Sequence, residues 1–232
     1  MPKGVFLVLE GGDGAGKTTQ IGMLDDYFQK TGRRTRRIHF PRLNAGPYGE
    51  MIAAYLRGEY GGLEAVHPKL AALLYALDRR EAAPELRSAV ADGEIVLADR
   101  YLFSNIAYQG ARLDNPEERE EMAGWIENLE YRRHAIPRPD LVIYLDAPRE
   151  FSRVRLSSPR TGADRAYLRG GADLHEADDS LQDKVRREFL AFREKRPDEL
   201  AVVDCREAGG GMAARTVVHA RILAVLRRFG LD

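Results

Sequence analysis

Val5-Phe6-Leu7-Val8-Leu9-Glu10-Gly11-Gly12-Asp13-Gly14-Ala15-Gly16-Lys17-Thr18-Thr19 runs from an apolar segment through a glycine-rich turn into a helical pattern. Residues 11 to 18 fit G-x-x-x-x-G-K-[ST], the phosphate-binding turn between a strand and a helix. Consecutive backbone N–H groups and the positive end of the helix dipole then face one point, where an anion sits. The stretch from Gly11 and Gly12 through Asp13, Gly14, Ala15, Gly16, Lys17, Thr18 and Thr19 is thus the expected cradle for a nucleoside triphosphate. Lys17 is placed to reach the β- and γ-phosphates, and the Thr18 hydroxyl to ligate Mg²⁺.

Working outward, short apolar runs alternate with longer helical patterns. Helices are predicted at 17–31, 47–57, 68–91, about 101–109 and 116–133, and over a last stretch carrying Val218, Ile222, Val225, Leu226 and Phe229 on one side. Pro84 is expected to kink the third helix or start a new one. Strands are predicted at 36–40, 94–99, 141–145 and 200–204 besides the first. Nearly continuous apolar strands separated by helices imply a parallel sheet covered on both faces. The expected fold is therefore α/β and three-layered, with five parallel strands. Residues 157–173 are polar, glycine-bearing and arginine-rich, and read as a mobile lid over a site. Gly209-Gly210-Gly211 reads as a flexible turn.

The 232 residues suit one domain spanning 1–232, and 36 basic against 36 acidic residues give no polyanion-binding surface, so no nucleic-acid partner is expected. Arginine greatly outnumbers lysine, which stands only at 3, 17, 30, 69, 184 and 195. A single cysteine, Cys205, excludes an intramolecular disulfide and reads as a buried strand residue. No apolar stretch has membrane-spanning length and no signal-peptide pattern opens the chain, so a cytoplasmic protein without a membrane partner is expected.

Asp99 closes the strand Ile95-Val96-Leu97-Ala98, and ligands of doubly wound sheets bind outside the carboxyl ends of strands. It is a candidate for the Mg²⁺ shell beside Thr18, or else a helix-capping aspartate. Arg100 and Arg79 suit a second phosphate-bearing substrate, because a guanidinium fork matches phosphate oxygens; surface ion pairing is the alternative. Tyr75 and Arg79 are four apart on one helix, as Asn105, Tyr108 and Gln109 fall together on another.

The string from Glu10 to Thr19, then Phe40-Pro41-Arg42, Ala76-Leu77-Asp78-Arg79, Asp99-Arg100-Tyr101 with Ser104-Asn105 and Ala107-Tyr108-Gln109, and Pro139-Asp140-Leu141, resembles the thymidylate kinase family in order over nearly the whole chain. The resemblance implies a P-loop kinase fold, phosphoryl transfer from ATP to dTMP in nucleotide biosynthesis with Mg²⁺, and a homodimer. It also implies an acceptor site drawn from Asp13, Phe40, Pro41, Arg42, Tyr75, Arg79, Arg100, Asn105, Tyr108 and Gln109. Tyr75 would stack on thymine, Arg79 would donate to O4, and Tyr108 would crowd a ribose 2′-hydroxyl. A cationic donor satisfies a carbonyl but not the amino group of cytosine. The catalytic group implied is Lys17 with Asp13, Arg100 and arginines of the lid region, Arg153, Arg160, Arg165 and Arg169, since Gly14 and Ala15 stand where some members carry an arginine in the loop. Asp13 would orient the acceptor sugar or an arginine, or stabilise the turn. Tyr75 replaces a common Phe, Leu43 a polar or aromatic residue, and Asp173 with Glu176 resembles an acidic pair after the lid.

Two other readings stand beside this one. A kinase for another nucleoside or nucleoside monophosphate is opposed by Arg79 and Tyr108. A P-loop switch or motor would leave Arg79 and Arg100 without a purpose, and for GTP it would need N-K-x-D, which the sequence lacks.

Overall fold

The computed structural model describes residues 3–157, 163–170, 173–176 and 178–231. Five parallel strands, β1 (Val5–Gly11), β2 (Thr35–His39), β3 (Ile95–Asp99), β4 (Leu141–Asp146) and β5 (Leu200–Asp204), form one sheet in the order β2-β3-β1-β4-β5. Side chains alternate along each strand and so feed two cores. Phe6, Val8, Val96, Ala98, Val142 and Tyr144 pack on one face under α3 (Pro68–Ala91), α4 (Leu102–Gly110), α5 (Pro116–Glu127) and α7 (Asp179–Lys195). Leu7, Leu9, Leu97, Ile143 and Leu145 pack on the other under α1 (Lys17–Lys30) and α8 (Arg215–Arg228). A smaller cluster of Ile52, Tyr55, Leu56, Ala71 and Tyr75 joins α2 (Gly46–Leu56) to α3. α6 (Arg149–Ser157) follows β4.

The topology positions the site. From β1 the chain builds β2 and β3 on one side and later β4 and β5 on the other, so the switch point lies at the carboxyl end of β1. Such a switch point opens a crevice beyond the strand ends. Leu9 is in register with both Asp99 and Ile143, which sets Asp99 beside the start of the phosphate loop.

The structure refines three local expectations. Pro84 does not start a new helix, since α3 is continuous from Pro68 to Ala91; buried Ala82, Ala83, Leu86 and Ala89 hold the turns around it against the core despite the missing N–H. The helix expected over 116–133 is α-helical only to Glu127 and continues as a π-helical turn over Asn128–Arg133, which rotates Glu130 into the interior. Within the segment read as a lid over 157–173, Ala163–Leu168 is a 3₁₀ turn and Leu168 and Asp173 are buried, and just after it Leu174 N–H donates to the Leu56 carbonyl. Cys205 is buried just past β5, and burial pushes its thiol up to about 12, so it is inert at neutral pH. Among the described residues no helix is long and apolar enough to cross a membrane.

Candidate active site

A cavity of about 1030 Å³ opens at the switch point and is lined from one end by the phosphate loop and from the other by α3 and α4. Gly14 and Gly16 hold φ of 78° and 93°, left-handed conformations that the curl of the loop requires and that side-chain-bearing residues resist. Lys17 folds back over the loop, its Nζ donating to the carbonyls of Gly11 (3.0 Å) and Gly12 (3.1 Å) and lying 4.0 Å from Asp99 Oδ1. Burial lowers its pKa and Arg100 lowers it further. Gly11 and Gly12 thus serve the loop through their carbonyls; the lining of the large cavity begins at Asp13 and runs to Thr19.

Thr18 Oγ1 donates to Asp99 Oδ2 at 3.4 Å, while Asp99 Oδ1 is buried with no hydrogen-bond partner. Burial raises the pKa of Asp99, but Lys17 and His39 outweigh it and hold the carboxylate ionised. An ionised oxygen without a partner beside a hydroxyl is a donor set suited to a hard divalent cation.

Arg100 sits at φ 65°, a left-handed conformation costing on the order of 1–3 kcal/mol for a side-chain-bearing residue. Its N–H is tied to the Leu9 carbonyl, and its Nη2 reaches Asp13 Oδ1 at 2.6 Å. Tyr108 donates to Asp13 Oδ2 at 3.1 Å and Arg100 Nη1 to Ser104 Oγ at 3.1 Å. Burial raises the pKa of Asp13, but Arg100 and Lys17 together hold it well below the usual carboxylate range. Asp13 is therefore a fixed anion joining the loop to α4.

On the far wall, Arg79 is 2% exposed and forms a two-pronged pair with Glu130, Nε to Oε2 at 2.5 Å and Nη2 to Oε1 at 2.7 Å. Asn105 Nδ2 donates to Glu130 Oε1 (2.9 Å) and to the Ala72 carbonyl (3.0 Å). Asn105 Oδ1 and Gln109 Nε2, one turn apart on α4, are buried and unpartnered, and both residues line the cavity. Tyr75 and Phe40 supply apolar walls. Pro41, joined to Phe40 by a cis bond, lines the same wall. Arg42 also lines the cavity, while its Nε donates to Asp78 Oδ1 and its Nη2 to Glu81 Oε2, both at 2.8 Å, which straps the 40–45 loop to α3.

The arginines expected from the lid do not all gather here. Arg153 is exposed on α6 and lines a separate cavity of about 50 Å³ behind the loop, with Gly12, Gln182 and Arg186. Arg160 lies outside the described residues, Arg165 is placed only by its backbone in the 3₁₀ turn, and Arg169 is exposed.

Glu10, His175 and Glu130 carry roles that escaped the sequence reading, which noted Asp173 only as one of an acidic pair after the lid. Glu10 is fully buried and accepts from the N–H groups of Tyr101 (2.9 Å) and Ser104 (3.0 Å), capping α4 from the neighbouring strand. An acid ending an apolar strand was its only signal. His175 is buried against Tyr108, ring centroids 5.0 Å apart, and burial pushes its pKa down to about 4. Asp173 shapes that turn by accepting from the N–H groups of His175 and Glu176 and from the Tyr167 hydroxyl. Glu130 gave no signal at all.

A phosphate loop, an ionised aspartate beside it and a second polar cleft on the same strand edge define a P-loop phosphotransferase with separate donor and acceptor ends. Among known proteins, the thymidylate kinase family profile matches residues 9–207, and the chain belongs to that family. It is 33% identical to a thymidylate kinase of Clavibacter sepedonicus over 95% of this chain and 96% of that protein. It is 37% identical to one of Leifsonia xyli subsp. xyli over 87% of each. A solved thymidylate kinase from Candida albicans, 23% identical, shares the fold at a TM-score of 0.73 over 99% of this chain and 93% of that one.

Proposed function

We propose that this chain, acting as one domain, transfers the γ-phosphoryl group of ATP to dTMP, giving ADP and dTDP, and that the large cavity is the shared site. The observation that carries this reading is the placement, in that one cavity, of the phosphate loop at one end and of Tyr75, Arg79 and Asn105 at the other. Membership of the thymidylate kinase family supports it.

The acceptor phosphate is largely dianionic at neutral pH, with a second pKa of about 6, so no general base is needed. Catalysis reduces to aligning two anions and stabilising the charge that spreads over the transferring group. Lys17 and the loop N–H groups hold the donor phosphates. Arg100, fixed by Asp13, holds the acceptor phosphate. Thr18 and Asp99, whose Oδ1 has no hydrogen-bond partner, would hold Mg²⁺, which would supply positive charge against the donor phosphates. One or more of Arg153, Arg160, Arg165 and Arg169 supplies the remaining positive charge when the lid closes.

At the base, Nη1 of Arg79 is outside its pair with Glu130 and serves as donor to thymine O4. Asn105 Oδ1 accepts from N3–H, and Tyr75 stacks on the ring. Cytosine reverses both polar groups and is refused. Tyr108, fixed by Asp13, closes the 2′ side of the sugar. Exposed Met51 on α2 and Leu70 on α3 offer apolar area for a second copy, and the assembly is a homodimer that light scattering would weigh. Incubation with γ-labelled ATP and dTMP should place the label in dTDP. Label released as free phosphate would indicate a hydrolase and overturn the reading.

A further inference from the structure

We propose that Glu130 is the positioning residue for acceptor-base selection, setting the donor on Arg79 and the acceptor on Asn105 together. The inference rests on the dTMP reading above and deepens it. Glu130 does not line the cavity; it stands behind the two residues that do. It is fully buried, and so is the arginine it holds, so neither partner is solvated away from the other. The carboxylate takes Nε and Nη2 of Arg79, a fork that fixes the plane of the guanidinium and leaves Nη1 as its free edge.

The same Oε1 also accepts from Asn105 Nδ2. With the Ala72 carbonyl as a second acceptor, the Asn105 amide can point its NH₂ in only one direction. Its Oδ1 is thereby turned away and left without a partner in the protein. A carboxylate offers no donor, so Glu130 cannot be satisfied with the Asn105 amide reversed. One buried anion thus imposes a donor and then an acceptor on the cavity wall, the complement of O4 and N3–H. Glu130 reaches this position because Asn128–Arg133 is π-helical; π-helical turns frequently mark functional sites.

The test is Glu130→Gln. An amide must aim either its NH₂ or its carbonyl at two sets of donors, so one contact is lost and the array loosens. The ratio of kcat/KM for dTMP to that for dCMP should fall about tenfold or more, since each base-edge pair contributes about 1–3 kcal/mol of discrimination. KM for ATP should stay within twofold of wild type. A Glu130 that only holds the fold would lower thermal stability and scale both acceptors equally, so an unchanged ratio overturns the proposal. If the Gln variant does not fold, Asn105→Ala, which leaves the ion pair intact, must lower the same ratio; an unchanged ratio there overturns it equally. Wild-type preference for another monophosphate would instead refute the dTMP reading itself.

Discussion

Replacing Arg79 by Met keeps a long side chain in the wall but removes the cation facing Glu130, which is fully buried. Two consequences follow from different atoms. Loss of one partner of a buried pair costs about 3–5 kcal/mol, because the other charge is left uncompensated. For a chain of this size each kcal/mol moves Tm by about 2–4 °C, so the variant should melt roughly 6–20 °C lower. Separately, the base loses a charged hydrogen bond of about 1.5–3 kcal/mol, which should raise KM for dTMP by about 10- to 100-fold. The double variant Arg79→Met with Glu130→Gln removes the buried charge and keeps an acceptor for Asn105 Nδ2. It should recover most of the Tm and none of the KM. Scanning calorimetry and initial rates on the three proteins separate the effects. An unchanged Tm in the single variant, or a restored KM in the double, would refute the reasoning.

Other perturbations probe the remaining walls. His175 is held near pKa 4, so the unfolded chain, titrating near 6.5, binds its proton first as pH falls. The stability present above pH 6.5 is lost toward pH 4, by up to about 3 kcal/mol, and His175→Phe should remove that slope from urea midpoints; parallel curves would contradict it. A Cβ at Gly49 would lie 2.1 Å from the Arg42 carbonyl, so Gly49→Ala should cost about 1–3 kcal/mol and raise KM for dTMP by shifting the 40–43 wall. Wild-type kinetics in that variant would show the wall is not part of the site. Among Ala variants of Arg153, Arg160, Arg165 and Arg169, at least one should lose about 10³ in kcat; four wild-type values would end the lid-arginine mechanism.

The layers of the fold were legible because four of the five strands are nearly continuously apolar, β2 being the polar exception, and the helices carry one-sided patterns. The phosphate loop was legible because its pattern is local, eight consecutive residues from Gly11 to Thr18. Spacing four apart grouped Tyr75 with Arg79 and Asn105 with Gln109 for the same reason. What stayed hidden is nonlocal or depends on backbone geometry. Glu130 is 51 residues from Arg79, and an α-helix through 133 would have given it another orientation. Glu10 reaches α4 across 94 residues. Pro84 does not end α3 because the buried residues around it gain a core that offsets the one hydrogen bond it lacks. Arg42 matched a motif, but its ties to Asp78 and Glu81 on α3, 36 and 39 residues away, gave no signal.

The central claim is that one cavity joins ATP to dTMP and selects the acceptor by its base edge. A coupled assay with ATP against equal concentrations of dTMP, dUMP, dCMP, dGMP, thymidine and water tests it most directly. The expected result is ADP release that depends on dTMP, with dCMP and dGMP turned over at least 100-fold less efficiently and little hydrolysis in water. Equal or better turnover of dCMP, dGMP or thymidine, or equal hydrolysis in water, would contradict the account.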